Sequence, residues 1–199
     1  ERGLLMIIWL NGAFGAGKTQ TAYELKHRIP NSIIYDPEQI GFFINKNMPQ
    51  HMTTGDFQDH EIWREFNFKM IKYISNQFNG TIIIPMTITN PQYYEEIIEC
   101  LKMEGIEVHH FVLWATKETL KQRLKSRFEK DNSWPEQQIE RCMEGLEHPI
   151  FGGRVDTNNL SIEQVTELIA EKLNISLLND TRSNIKKKLD RFMMRVMKK

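Results

Sequence analysis

The chain has 199 residues, 40% of them hydrophobic and 26% charged, and its 26 Lys or Arg balance 26 Asp or Glu for a formal net charge of zero. That length and balance fit one globular domain with a short appendage, and no base-stacking motif or long basic groove speaks for a nucleic-acid partner. Cys100 and Cys142 are too few for a disulfide framework or a cysteine metal cluster, which fits a reducing cytosol.

The apolar run from Leu4 to Leu10 is too short to span a bilayer and lacks a signal-peptide cleavage site, so Met6 to Leu10 reads as a buried strand. Met6 is expected to be the natural start, with residues 1–5 a remnant of cloning. Gly12 to Thr19 then reads GAFGAGKT, a full match to G-x-x-x-x-G-K-[ST]. The chemistry asks for glycines where a Cβ would block backbone N–H groups from a polyphosphate. Gly12, Gly15 and Gly17 supply them, with Ala13, Phe14 and Ala16 between. Lys18 places a cation on the terminal phosphates, Thr19 offers its hydroxyl to Mg²⁺, and Gln20 opens a helix to Arg28 whose positive end faces the same anion. Strand, glycine loop and helix together predict a nucleoside triphosphate site.

A second strand, Ser32 to Tyr35, ends in Asp36-Pro37. At the carboxyl end of a strand, Asp36 can take a proton from an attacking hydroxyl or hold a Mg²⁺ ligand, or it can cap the short helix from Glu38 to Phe43. Residues 45–56 read as a loop. Phe57 to Phe78 reads as one long helix whose stripe Phe57, Ile62, Trp63, Phe66, Met70, Ile74 and Phe78 is expected to be mostly core, with Arg64 and the polar Gln58, Asp59, His60 and Glu61 either reaching a substrate pocket or forming a solvated helix face. Thr81 to Ile84 is a buried strand ending in Pro85-Met86-Thr87. No acid follows it, so the metal role falls to Thr19 and Asp36. A helix from Pro91 to Glu104, a strand from Val108 to Trp114 and a helix from Lys117 to Glu129 follow. His109 and His110 read as structural rather than as ligands. Arg123 and Arg127, four apart, either close over phosphates as part of a lid spanning about 123–141, with its tip at residues 130–135, or form a basic solvated face. A helix from Glu136 to Leu146, a short strand Arg154–Asp156 and a helix capped by Ser161 and Gln164 complete a domain of residues 6–173.

Residues 174–199 hold eight Lys or Arg against Asp180 and Asp190, so the zero net charge conceals a basic tail on an acidic body. Ile185, Leu189, Phe192, Met193, Val196 and Met197 share one helical face. A helix of that kind can lie on an anionic membrane, dock on a partner or fold back on its own domain.

The segments MIIWLNGAFGAGKTQTA, YDPEQIGF, DFQ, IIIPMTIT, VHHF, KETLKQRLKSR, NSW, GLEHPIF and DTNNLSI, in that order, resemble the tunicamycin resistance protein family. These small bacterial P-loop proteins are related in fold to chloramphenicol phosphotransferase and shikimate kinase. The resemblance implies ATP and Mg²⁺ on Gly12 to Thr19, Asp36 as general base, Arg123 and Arg127 as lid arginines, and Asp156, Thr157 and Asn158 beside the adenine. It also implies a tail at the membrane. The expected fold is a three-layer α/β domain around a parallel five-stranded sheet of order 2-3-1-4-5. The expected activity is phosphorylation of a hydroxyl of tunicamycin or a related nucleoside, with Phe57, Trp63, Arg64 and Thr87 joining Asp36 around the substrate. A drug-sequestering protein without chemistry, or a kinase for another nucleoside or sugar, are the alternatives.

Overall fold

The computed structural model describes residues 5–126, 133–183, 185–187, 189–190 and 193. In chain order it contains β1 (Met6–Asn11), α1 (Lys18–Arg28), β2 (Ser32–Ile34), α2 (Pro37–Asn47), α3 (Glu61–Gln77), β3 (Thr81–Pro85), α4 (Pro91–Tyr94), α5 (Cys100–Met103), β4 (Val108–Trp114), α6 (Lys117–Lys125), α7 (Trp134–Gln137), α8 (Ile139–Gly145), β5 (Arg154–Asp156) and α9 (Ile162–Lys172). The strands form one parallel sheet of order β2-β3-β1-β4-β5, the order expected from the sequence. β1 is the centre because every one of its residues is apolar or capped by a buried polar network, and all six are buried.

Side chains alternate between two cores, as the pleat requires. Met6, Ile8 and Leu10 meet α1, α6, α8 and α9 through Leu25, Leu120, Ile139 and Ile169. Ile7 and Trp9 meet α2, α3, α4 and α5 through Ile44, Trp63, Ile71, Tyr94 and Leu101. Helices therefore cover both faces, and all parallel strands open their carboxyl ends onto one edge, where ligands of this architecture gather.

Several boundaries depart from the sequence reading. The helix after β2 runs to Asn47 instead of Phe43, and a 3₁₀ turn at Gln50–Met52 shortens the loop behind it. Phe57 does not start α3: Asp56 accepts from the Gln58 N–H and caps a separate 3₁₀ turn, Phe57–Asp59, before α3 begins at Glu61. The stripe is also divided. Trp63 and Ile71 are core, but Ile62, Phe66 and Met70 face outward. A π-helical segment, Glu95–Glu99, joins α4 to α5, and α7 and α8 replace the single helix expected from Glu136. Arg127 and residues 130–132 of the expected lid tip lie outside the described residues, and Trp134 and Pro135 of that tip open α7.

The base of the tail is strapped to the body. Arg182 donates two bonds of 2.8 Å to the buried Glu24 carboxylate of α1 and also grips Asp180, which Lys187 approaches to 2.8 Å. These donors, Arg182 foremost, hold the Asp180 carboxyl far below the usual carboxylate range. Leu178 and Arg28 exchange backbone and side-chain bonds beside this cluster. Ile185, Leu189 and Met193 are exposed. Of the fates open to the tail, folding back on its own domain describes its base.

Candidate functional site

Local sequence alone shapes the phosphate cradle. Gly12, Gly15 and Gly17 take φ of 142°, 87° and 99°, a region that side chains other than hydrogen rarely enter. A Cβ on Gly12 would stand 2.5 Å from the Leu113 carbonyl, and one on Gly15 2.8 Å from that of Leu120, so the loop is wedged between β1 and the β4–α6 turn. Lys18 is buried and donates to the carbonyls of Gly12 at 2.7 Å and Ala13 at 3.1 Å, which keeps its ammonium inside the loop. The backbone arrangement fits a polyphosphate encircled by N–H groups at a helix N-terminus.

The mouth of the loop is fixed by a residue the motif does not contain. Asn11, fully buried, accepts from the N–H groups of Gly12 at 2.8 Å and Ile88 at 3.0 Å and donates to Ile88 O at 2.7 Å. Its amide also lies 3.1 Å from His110 Nε2, while His110 Nδ1 lies 3.1 Å from Phe151 O. The two contacts are satisfied together when Nε2 accepts and Nδ1–H donates, a neutral imidazole. Burial, outweighing the Phe151 bond, pushes the His110 pKa down to about 4. The histidine is structural, as expected.

On one side of the cradle a cavity of about 240 Å³ is lined by Gly15, Ala16, Gly17, Gln20, Arg123, Ser126, Thr157, Leu160, Ser161, Ile162 and Val165. Its polar end is the phosphate loop and its floor is aliphatic, a division that suits a nucleotide's phosphates and base. Arg123 donates to the Thr157 hydroxyl at 3.1 Å and to the Thr157 carbonyl. Arg123 is thereby tied to the loop before α9, on the wall of the same cavity that Gly15 to Gly17 line. Thr157 lines the cavity, whereas Asp156 and Asn158 brace it from behind through the Asn158 N–H and Thr116 N–H. The Ser161–Gln164 capping box holds the far wall.

On the other side a cavity of about 170 Å³ is lined by Phe14, Glu38, Phe42, Asp56, Phe57, Gln58, Met86, Thr87, Thr89, Trp134, Arg141 and Cys142. Phe14, at the tip of the phosphate loop, makes an edge contact with Trp134 at 5.2 Å, and Arg141 reaches Asp56 at 3.3 Å. Segments after α6 thus roof this cavity. Thr87 ties it to the cradle by donating to Gly12 O at 2.8 Å. Of the expected substrate residues, Phe57 and Thr87 line the cavity. Trp63 does not: it is buried behind Phe57, with its indole N–H on Pro37 O at 3.0 Å. Arg64 does not either, since it pairs with Glu96, stacks on Tyr93 and donates to Gln58 O at 2.7 Å, supporting the wall from outside. Asp36 caps α2 by accepting from the Glu38 N–H at 3.2 Å, and the carboxylates that line the cavity are those of Glu38 and Asp56, the latter paired with Arg141.

Thr19 and Asp36 are oxygen donors of the kind Mg²⁺ takes, and among the described residues no group of three His, Cys, Asp or Glu is assembled for a metal. Such a sparse donor set fits Mg²⁺ that comes with a nucleotide, which supplies most of the remaining oxygens together with water.

A family profile described as "AAA domain" matches residues 7–149. Among solved structures, the Deinococcus radiodurans tunicamycin resistance protein is 31% identical, with a TM-score of 0.75 over 88% of this chain and 99% of that one. The chain belongs to the tunicamycin resistance protein family of P-loop proteins. A sugar kinase from Janibacter sp. (17% identity, TM-score 0.60, 85% and 95% covered) and a shikimate kinase from Bacteroides thetaiotaomicron (19%, 0.54, 85% and 99%) share the fold. A search among curated proteins finds no match. The fold is thus of P-loop kinase type, with the nucleotide loop in the position such folds use.

Proposed function

We propose that this protein transfers the γ-phosphoryl group of ATP to a hydroxyl of a tunicamycin-like nucleoside. The observation that carries the reading is the pair of cavities meeting at one phosphate loop: Gly15 to Gly17 line one and Phe14 lines the other. The loop N–H groups and Lys18 bind the phosphates and offset the charge that grows during transfer. Thr19 would hold Mg²⁺, which would supply further charge neutralisation. The aromatic wall of Phe14, Phe42 and Phe57, roofed by Trp134, excludes water and orients an acceptor with a planar or apolar body. The proton of its hydroxyl passes to a carboxylate at the start of α2, for which Asp36 is favoured by family resemblance and Glu38 by its place on the cavity wall. The 31% identical relative supports tunicamycin as the acceptor.

Drug-stimulated release of ADP by the full chain tests this reading. Wild type should respond to tunicamycin, and either Asp36→Asn or Glu38→Gln should lose on the order of a hundredfold or more in rate while still binding nucleotide. If neither variant changes turnover, the α2 carboxylates are not the base; if the drug binds yet never stimulates ADP release, the protein sequesters rather than modifies.

The exposed Ile185, Leu189 and Met193 favour a second role for the tail as a peripheral membrane contact. Flotation with anionic vesicles at low salt should carry the protein upward and release it as salt rises; no flotation at low salt removes the role. No helix among the described residues is long and apolar enough to cross a membrane.

A further inference from the structure

α3 is apolar on two sides, and only one of them is used by the fold. Trp63 and Ile71 are fully buried against the sheet. Ile62 is 48%, Phe66 42%, Met70 38% and Tyr73 65% exposed, and helical spacing sets these four in a single lane on the outer side. Exposed apolar area on the order of 400 Å² in one lane falls in the range of the largest patch a single subunit carries, which is often functional. The described part of the tail does not cover it, because Arg182 straps the tail to α1 on the opposite face of the sheet.

A second lane runs beside the first and carries charge in two halves. Glu61 and Glu65 come first along α3, and Lys69 and Lys72 follow. We propose that this side of α3 is the two-fold interface of a homodimer, with α3 of one copy antiparallel to α3 of a second. A two-fold axis perpendicular to both helices lays apolar lane on apolar lane and charged lane on charged lane. Because it also reverses direction, the acidic half of each copy meets the basic half of the other. A parallel pair would press the charged lane of one copy onto the apolar lane of its partner. Such self-complementarity is what an isologous interface requires.

Within one copy Glu65 meets Lys69 at 2.5 Å and Lys72 meets Glu104 at 2.8 Å, all well exposed. Exposed pairs of this kind are individually weak and can be shared across an interface, so the apolar lane supplies the association and the charges set its direction. Two lanes with their flanks reach about 1,000 Å², the lower bound for a specific interface, which places the pair among weak, concentration-dependent associations.

Sedimentation equilibrium of the full chain from about 1 to 100 µM tests the proposal. Wild type should pass from monomer to dimer across that range, and Phe66→Glu should stay monomeric with an unchanged thermal melt. Ile62→Lys gives a second, independent disruption. Glu65→Lys should weaken the dimer about tenfold or more, and Glu65→Lys combined with Lys69→Glu should recover it. A wild type that is monomeric throughout overturns the proposal. So does a dimer that survives both apolar variants, and a double charge swap that fails to recover association overturns the antiparallel arrangement.

Discussion

The two cavities that flank the phosphate loop are built in opposite ways. The phosphate end of the proposed nucleotide side rests on one contiguous stretch, Gly12 to Thr19, whose conformation follows from its glycines and which offers backbone N–H groups to a phosphate. The acceptor side draws Phe14, Glu38, Asp56, Thr87, Trp134 and Arg141 from six separate segments, and its chemistry is all in side chains. A backbone site tolerates only what fits its curvature, so its sequence is constrained at fixed spacing. A side-chain site can be rebuilt for a new acceptor without moving the sheet, which is how one P-loop fold can serve sugar, shikimate and nucleoside acceptors.

The difference can be probed by removing one side at a time. The largest effect belongs to Lys18→Ala, which removes the cation held inside the phosphate loop; turnover should fall by roughly a thousandfold while acceptor affinity, read by calorimetry, holds. Equal losses of both would mean the two sides are not separable.

This contrast also explains what the sequence disclosed. The P-loop and the Ser161–Gln164 cap were legible because each depends on residues a few positions apart, and the sheet order followed from the fold that the P-loop motif and the family resemblance imply. The acceptor wall was not. Phe57 and Thr87 could be placed, but Trp63 and Arg64 share α3's inner face with core residues, and periodicity does not separate a wall from the brace behind it. Arg123 was legible as a cation near the P-loop; that Thr157, thirty-four residues away, would hold it depends on the β4–β5 pairing. Asn11 carries no motif signal beyond being a polar residue at the end of an otherwise apolar strand.

The next effect concerns the nucleotide side's support. Arg182→Ala leaves the buried Glu24 carboxylate of α1 without its bidentate partner and should cost about 3 kcal/mol of unfolding free energy, measured in urea. A loss within a few tenths would show that the strap is ornamental and the tail separable from the P-loop helix. A comparable effect is set by pH. His110 is held neutral in the fold with its pKa pushed down to about 4, against 6.5 in the unfolded chain, so the unfolded state binds more protons between those values. Stability should be complete above pH 6.5 and decline as pH falls toward 4, by up to about 3 kcal/mol. His110→Gln should lower stability at neutral pH but flatten that part of the profile; an unchanged slope would assign the acid loss to other groups.

The smallest effect is on the acceptor side alone. Trp134→Ala opens the roof over Phe14 and should raise the acceptor KM about tenfold, leaving the KM for ATP within about twofold. A change confined to ATP would reverse the assignment of the two cavities.

Mass spectrometry of tunicamycin incubated with Mg-ATP and the full chain tests the central claim most directly, with Lys18→Ala as the blank. The account expects a phosphoryl-sized mass gain on the drug, dependent on ATP and absent from the blank. Drug recovered unchanged from wild-type protein that has bound both ligands would contradict it.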